Sequence, residues 1–432
     1  MGIASTMQQH ATVSAGESNK GWRVTFAGTG VNLVLGVLYA WSVIALYLRD
    51  NLAWTATQTQ IPYMVACGMF ALLMVPGGRL QDRIGPRFVI MAAAVFAGLG
   101  FIGSATFMTV AGLSICFGVL FGTAIGLGYS STTPPAMKWF GPQRRGLVTG
   151  LVVSGFGVAA VYAAPVADFL IGRIGIEQTF FVFGIAAFIV IMLLAQVITN
   201  PPAGYVPPDA TKGEQKADQK TPAPKPAPAA VSLDWNEMVR TPQFYLLWAM
   251  FCFGSLAGLM IIGQLASIAI QQSGVALGFV LVAVLAIFNA AGRIAGGVAF
   301  DRMGQTPTLL LIFAVQALNF LFFNMYVNPI TLLIGTIVAG LCYGACLSVF
   351  PATTASLFGV RNLGVNYGLI FTAWGAGGVF GGLLGGMVFD RTGTFLNAYL
   401  IAAALCFIGV ALTLVLAAKG KAAPYAEPNQ AS

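Results

Sequence analysis

Charged side chains are scarce in this sequence. Of its 432 residues only 8% are Asp, Glu, Lys or Arg, and 58% are hydrophobic, whereas a soluble globular domain has about 25% charged residues. So low a charge content excludes an ordinary soluble protein and favours helices surrounded by lipid.

Histidine and paired cysteines are lacking as well. His10 is the single histidine, and the six cysteines lie within apolar segments without a CxxC pair or metal-ligand spacing. No Gly-x-x-x-x-Gly-Lys-Ser/Thr phosphate loop occurs, which argues against ATP-driven transport. No nucleophile–base set lies at membrane depth. We therefore expect no metal, no cofactor and no catalytic residue, and hence not an enzyme.

What the sequence does contain is a series of long apolar runs. A membrane-spanning helix needs about 20 apolar residues, and the runs predict twelve such helices. They lie at 24–48, 58–80, 87–108, 111–137, 145–172, 178–199, 242–270, 275–300, 306–327, 330–358, 363–389 and 395–418. The predicted fold class is an all-α membrane protein with twelve transmembrane helices in two six-helix halves.

A polar segment separates the predicted halves. Residues 200–235 contain eight prolines mixed with Lys, Asp and Glu, a composition typical of a disordered linker. The predicted domains are a cytoplasmic tail at 1–22, a first half at 23–199, a cytoplasmic linker at 200–240, a second half at 241–418 and a cytoplasmic tail at 419–432.

The excess of positive charge is distributed unevenly. The chain has 21 Lys and Arg against 13 Asp and Glu, a net charge of +8. Most of the cations recur in alternate loops, as they do in loops on the cytoplasmic side of membrane proteins. We therefore expect both termini in the cytoplasm and no nucleic-acid partner.

A motif recurs at the ends of three predicted helices. Residues 77–85, 296–304 and 385–393 each read Gly-Gly-x-x-x-Asp-Arg-x-Gly, and a weaker echo surrounds Asp168. Helices 2 and 8 should end inside and helices 5 and 11 outside, as inverted three-helix repeats would produce. Asp–Arg pairs at a membrane boundary can bridge to neighbouring helix ends. A conformational role is predicted for Asp82, Arg83, Asp301 and Arg302.

Arg293 is the one cation deep within a predicted span. It precedes Asp301 by eight residues, which at about 1.5 Å per residue places it about 12 Å inside the surface. Asn289 lies one turn away on the same face. Because a guanidinium stays charged and binds carboxylates through two parallel hydrogen bonds, we predict an anion-binding site here. The alternative is a structural arginine paired with an acid, and the plausible intramembrane acid, Asp168, lies near the outer end of helix 5.

Other polar or aromatic residues could line the same depth. A single aromatic residue in an apolar helix more often packs than binds a ligand. Tyr129 and Tyr343 occupy matching places in helices 4 and 10, which favours a binding role for both. The remaining candidates are Asn32 and Tyr39 on helix 1 and Asn366, Tyr367 and Trp374 on helix 11.

Several segments resemble those of a known transporter family. Residues 78–87 read Gly-Arg-Leu-Gln-Asp-Arg-Ile-Gly-Pro-Arg, which is similar to the Gly-x-Leu-x-Asp-Arg-x-Gly-x-Arg loop of the major facilitator superfamily. Within that superfamily, residues 139–146, 240–245 and 288–293 resemble the branch of oxalate/formate antiporters and monocarboxylate transporters.

The resemblance implies a function for particular residues. It implies that Asp82, Arg83, Asp301 and Arg302 latch the outward-open state and that Arg293 binds the substrate carboxylate. Two positions depart from the branch. Asn289 stands where animal monocarboxylate transporters carry Asp, and Trp374 matches a Lys of the oxalate exchanger. One buried cation can offset one carboxylate, whereas a dianion needs two, so a monocarboxylate is the expected substrate.

The sequence thus predicts a secondary transporter that moves a small monocarboxylate of the lactate or pyruvate class with a proton. Asp168 or the substrate itself would carry the proton, since Arg293 does not release one at physiological pH. The alternative is an anion exchanger of the oxalate/formate type without proton coupling. We expect the protein to be a monomer in a lipid bilayer. The resemblance, together with the lack of a recognisable transit peptide, suggests that this bilayer is a bacterial inner membrane.

Overall fold

The computed structural model describes residues 2–202, 205, 207, 233–275, 278–359 and 362–420, with side chains from residue 19 onward except at 142–143 and 145–146. Within these residues the chain is helical and contains no strand. Twelve helices are long and apolar enough to cross a membrane, which confirms the predicted fold class.

The twelve spans are numbered in chain order. They are α1 Asn19–Leu52, α2 Ala56–Ile84, α3 Pro86–Thr106, α4 Val110–Lys138, α5 Leu147–Ile174, α6 Ile176–Ala195, α7 Pro242–Ser273, α8 Gly278–Met303, α9 Gln305–Met325, α10 Pro329–Phe358, α11 Leu363–Thr392 and α12 Leu396–Lys419.

Some spans are irregular or extend beyond these bounds. A 3-10 turn at Gly36–Ala40 interrupts α1, and a π-helical stretch at Ser114–Phe121 interrupts α4. The backbone helix of α1 begins at Gly2, and that of α5 begins at Pro142. A short helix, Trp235–Met238, precedes α7.

The predicted helix bounds differ from the observed ones by a few residues. Helix 2, expected at 58–80, covers Ala56–Ile84, so Asp82 and Arg83 lie in its last turn rather than in a loop. The helix ends at Gly85, which has φ +89°, a conformation that only glycine adopts readily. The motif glycines Gly304 and Gly393 also have positive φ, so the repeated motif is a helix stop.

Two long helix pairs join the first six spans to the last six, α2 with α11 and α5 with α8. Along the first pair, α11 presents a row of glycines whose missing side chains leave room for α2, since an added Cβ would lie less than 3.0 Å from an α2 atom. Small residues allow such close approach of helices in membranes. The glycines are Gly368, Gly375, Gly378, Gly382 and Gly386.

The bundle has two ends, which differ in how the halves meet. We call the end where α2 finishes the linker end, and the end where α2 begins the distal end. At the distal end, the second part of α1 packs on α7, and Gln60 Nε2 donates to Gly263 O at 2.9 Å. At the linker end, no hydrogen bond or ion pair joins α4 to α10, both of which are fully described. The bundle is therefore closed at the distal end.

Both described ends of the predicted linker are attached to a helix end. Tyr205 donates its hydroxyl hydrogen to Trp139 O at 3.2 Å, after α4. Leu233 donates its backbone N–H to Phe358 O at 2.9 Å, at the end of α10. The carbonyl of Leu233 accepts a hydrogen bond from Asn366 Nδ2 at 3.0 Å. Residues 203, 204, 206 and 208–232 of the predicted linker lie outside the described part of the chain.

Candidate functional site

Arg293 lies in the middle of α8 and reaches across to α5. Its Nη1 donates to the backbone carbonyl of Val153 at 2.8 Å, and its Nε is buried without a hydrogen-bond partner. No described carboxylate forms an ion pair with it. The guanidinium therefore keeps an unused donor and an uncompensated charge, and a charge in that position favours binding of an anion.

Gly157 makes the space that the guanidinium occupies. A Cβ added at this glycine would lie 3.3 Å from Arg293 Cζ and Nη2 and 3.4 Å from Nε. Gly157 is one turn along α5 from Val153, so the same helix face supplies the hydrogen-bond acceptor and the room for the side chain. The sequence alone did not identify Gly157, because 53 glycines are spread through the chain.

Replacing Gly157 by valine should displace the Arg293 guanidinium, because branched methyl groups cannot share its space. We expect the KM for uptake to rise about tenfold or more, since small misplacements of a binding group can cost about 100-fold. The matched control is Gly150→Val, two turns away on α5, where an added Cβ meets nothing within 4 Å. Equal KM values for both variants would contradict this role of Gly157.

Three of the predicted site residues form a hydrogen-bonded chain between the halves. Trp374 Nε1 donates to Tyr343 Oη at 2.8 Å, and Tyr343 Oη lies 2.8 Å from Tyr39 Oη. Indole offers one hydrogen and each hydroxyl one, so two hydrogen bonds leave one hydroxyl hydrogen unused. That hydrogen is available to a further acceptor such as a carboxylate oxygen.

Arg293 lies near one end of these hydrogen bonds and near two further predicted residues. Arg293 interacts electrostatically with the hydroxyl groups of Tyr39, Tyr129 and Tyr367. Tyr39 is buried, whereas Tyr129, Tyr367 and Arg293 are half-buried. The structure therefore brings α1, α4, α8 and α11 together around one guanidinium.

Aromatic rings that the sequence did not single out form the apolar side of this site. Phe70 lies at the centre, with ring centroids 5.2 Å from Tyr129, 5.6 Å from Phe156, 5.4 Å from Phe371 and 4.9 Å from Trp374. The rings come from both halves of the chain. Such a surface suits a small organic group.

Asn289 is fully buried one turn before Arg293, and neither its Oδ1 nor its Nδ2 has a partner. Its backbone carbonyl lies where a side chain at Gly344 would be, 1.9 Å from an added Cβ, so α8 and α10 touch at this level. A buried amide without partners is costly, which is consistent with a role in binding.

Asn32 makes its hydrogen bonds within the first six spans. Its Nδ2 donates to Val152 O at 2.9 Å and to Thr132 Oγ1 at 3.2 Å. Both partners lie beside the site rather than in it. Asn32 therefore fixes the α5 backbone next to the carbonyl that receives Arg293, and direct contact with a substrate is not needed to explain its burial.

The predicted charged residues outside the centre lie at the two ends. Asp168 is exposed at the distal end, beside a cavity of about 180 Å³ that Asp50 also lines, and it makes no ion pair with Arg293. Asp82 lies 3.6 Å from Lys138 Nζ at the linker end. Arg83, Asp301 and Arg302 are exposed there.

Known proteins are similar to this chain over most of its length. The sequence profile of the Major Facilitator Superfamily matches residues 24–329 and 271–431. The oxalate:formate antiporter of Oxalobacter formigenes is 28% identical over 90% of this chain and 90% of its own. Monocarboxylate transporter 11 of Mus musculus is 25% identical over 90% of this chain and 86% of its own.

A solved structure shares the fold. The bacterial homologue of the human lysosomal transporter Spinster, in an inward-facing and unoccupied conformation, superimposes with a TM-score of 0.63. The two sequences are 16% identical, and the superposition covers 92% of this chain and 96% of the other.

Proposed function

Because the chain belongs to the Major Facilitator Superfamily, we propose that it carries a small monocarboxylate of the lactate or pyruvate class across the membrane together with a proton. The observation that carries this proposal is Arg293, a guanidinium at mid-depth with an unused Nε and no acidic partner among the described residues. A carboxylate would supply a negative charge to balance the guanidinium and would accept a hydrogen bond from its free Nε–H.

The number of cations at the site supports a single carboxylate. Arg293 is the one Lys or Arg in the middle of the described spans, and the α11 position that carries Lys in the oxalate exchanger is Trp374 here. Trp374 is buried and donates to Tyr343, so it contributes a neutral donor. The substrate carboxylate would lie between Arg293 and the free hydroxyl hydrogen of the Tyr39–Tyr343 pair, with its organic part against Phe70 and Phe371.

The arrangement of the halves supports alternating access. Lysines and arginines concentrate at the linker end, so we infer from the positive-inside rule that this end faces the cytoplasm, with the protein in a bacterial inner membrane. The distal closure then corresponds to an inward-facing state. A carboxylate bound between Arg293 on α8 and Tyr39 on α1 would contact both halves, which favours a state in which the halves close around it.

Exchange without protons is the second candidate. It is favoured by the position of Asp168, which lies exposed at the distal end and makes no contact with Arg293 that could pass a proton directly. The antiporter among the relatives exchanges oxalate and formate by its name. A proton-coupled carrier without an acid beside the guanidinium would have to take the proton on the substrate.

Uptake of labelled L-lactate into proteoliposomes decides between the two candidates. With an inward proton gradient and no internal anion, we expect uptake to exceed that at equal pH. Uptake that ignores the gradient and requires internal formate or lactate would contradict proton coupling and support exchange. Absence of both activities with lactate, pyruvate and formate would contradict the proposed substrate class.

A further inference from the structure

Asp390, near the distal end of α11, makes hydrogen bonds to the other half of the chain. Its Oδ1 accepts the backbone N–H of Ala56 at 2.7 Å, and its Oδ2 accepts that of Thr57 at 2.8 Å. Ala56 and Thr57 are the first two residues of α2. One carboxylate thus binds two backbone donors across the boundary between the halves.

These donors have no partner within their own helix. The first N–H groups of a helix lack intrahelical acceptors, and the helix dipole places positive charge there. Thr55 Oγ1 accepts a hydrogen bond from the N–H of Gln58, and Thr55 O accepts one from the N–H of Thr59. The start of α2 is therefore fully satisfied with Asp390 in place, through hydrogen bonds strengthened by its charge.

Contacts on either side of Asp390 also hold the two halves together at the distal end. Gly386, one turn before Asp390, lies against the backbone of Thr57, where an added Cβ would be 2.7 Å from its Cα. The guanidinium of Arg49, at the end of α1, lies 4.6 Å from the centre of the Phe389 ring. The contacts close the distal end on both sides of Asp390.

The equivalent aspartate of the repeat is engaged differently. Asp82 occupies the same motif position at the linker end of α2, and its neighbours are Gln81 and Lys138, both in the first half. The cap residue of α11, Asn362, makes no side-chain hydrogen bond to that helix. A motif aspartate therefore joins the halves at the distal end, whereas Asp82 at the linker end does not.

We propose that Asp390 is a latch that stabilises the state closed at the distal end by capping α2 of the opposite half. Opening that end separates the carboxylate from both N–H groups, so the latch is made and broken once in each transport cycle. It contributes to the balance between the two states and takes no part in substrate binding.

The test is the distance between the distal ends, measured in lipid nanodiscs by electron spin resonance. Spin labels on Thr106→Cys, the last residue of α3, and Val327→Cys, before α10, report on opposite halves, and the six native cysteines are buried. Asp390→Ala should raise the ratio of open to closed populations between about 2-fold and about 30-fold, the range for losing a helix cap. Asp390→Asn, which keeps one acceptor without charge, should give a smaller rise.

Two further variants separate the latch from a general loss of structure. Glu177→Gln removes an exposed distal carboxylate at the start of α6 and should leave the distances unchanged. Thr57→Pro removes one donor at a helix position where proline is tolerated, with Thr57→Val as its control for the hydroxyl. It should raise the open population, with little further effect in combination with Asp390→Ala. Wild-type distances in folded Asp390→Ala and Thr57→Pro proteins would overturn the proposal.

Discussion

Arg293→Ala should lower the initial rate of substrate uptake at least about 30-fold, because removing one partner of a buried, hydrogen-bonded charge pair costs about 2 kcal/mol or more. Arg293→Lys should also lose most of the activity. A lysine keeps the positive charge but lacks the planar fork that can bind Val153 O and a carboxylate together. The measurement is uptake of labelled L-lactate by equal amounts of protein in proteoliposomes.

The loss must be separated from misfolding. Arg173→Ala removes an exposed arginine at the distal end of α5, whose contact is the ring of Phe169 at 5.5 Å, and it should transport normally. Melting temperatures and gel-filtration profiles of the variants show whether each remains folded. Near-normal uptake by both Arg293 variants would refute the assignment of the binding site.

Trp374→Lys should change which acid is carried. A second cation in the site offsets the second charge of a dicarboxylate, and close pairs of this kind are worth about 1.5 kcal/mol or more. We therefore expect the ratio of oxalate to lactate uptake to rise about tenfold or more. Lactate uptake itself should fall, because Tyr343 loses the hydrogen bond that it receives from Trp374.

Trp374→Phe is the matched control for this change. Phenylalanine keeps a ring against Phe70 and Phe371, which lie 4.9 Å and 5.1 Å from Trp374 between ring centres, but it adds no charge. It should preserve the preference for the monocarboxylate. If the lysine variant transports lactate with unchanged selectivity, the number of cations does not determine the substrate class.

The fold was predictable because its signal is coarse. Twelve runs of about 20 apolar residues define twelve spans whatever their neighbours are. The bounds were less accurate, since helices continue past the apolar run until a backbone stop. In α2 the stop is Gly85, and the polar turn with Asp82 and Arg83 before it is still helical.

The sequence could propose residues of the candidate site only where a side chain is conspicuous in its surroundings. Arg293 and Tyr343 became candidates because a charge or a matched aromatic residue stands out in an apolar helix. The carbonyl of Val153 could not, since every residue has one, and Phe70 is one of 32 phenylalanines. Asn32 illustrates the converse, because a buried amide at the right depth makes its hydrogen bonds to neighbours in its own half.

The anchored linker ends affect how strongly the two halves are held near each other. With Tyr205 attached beside Trp139 and Leu233 attached beside Phe358, only residues 206–232 remain between the anchors. At about 3.4 Å per residue that length can reach about 90 Å, several times the width of a helix pair. The segment therefore sets the effective concentration of one half around the other and leaves the geometry of their rocking to the helix contacts. Doubling its length would lower that concentration only about threefold, because the free-energy cost of closing a loop grows with the logarithm of its length.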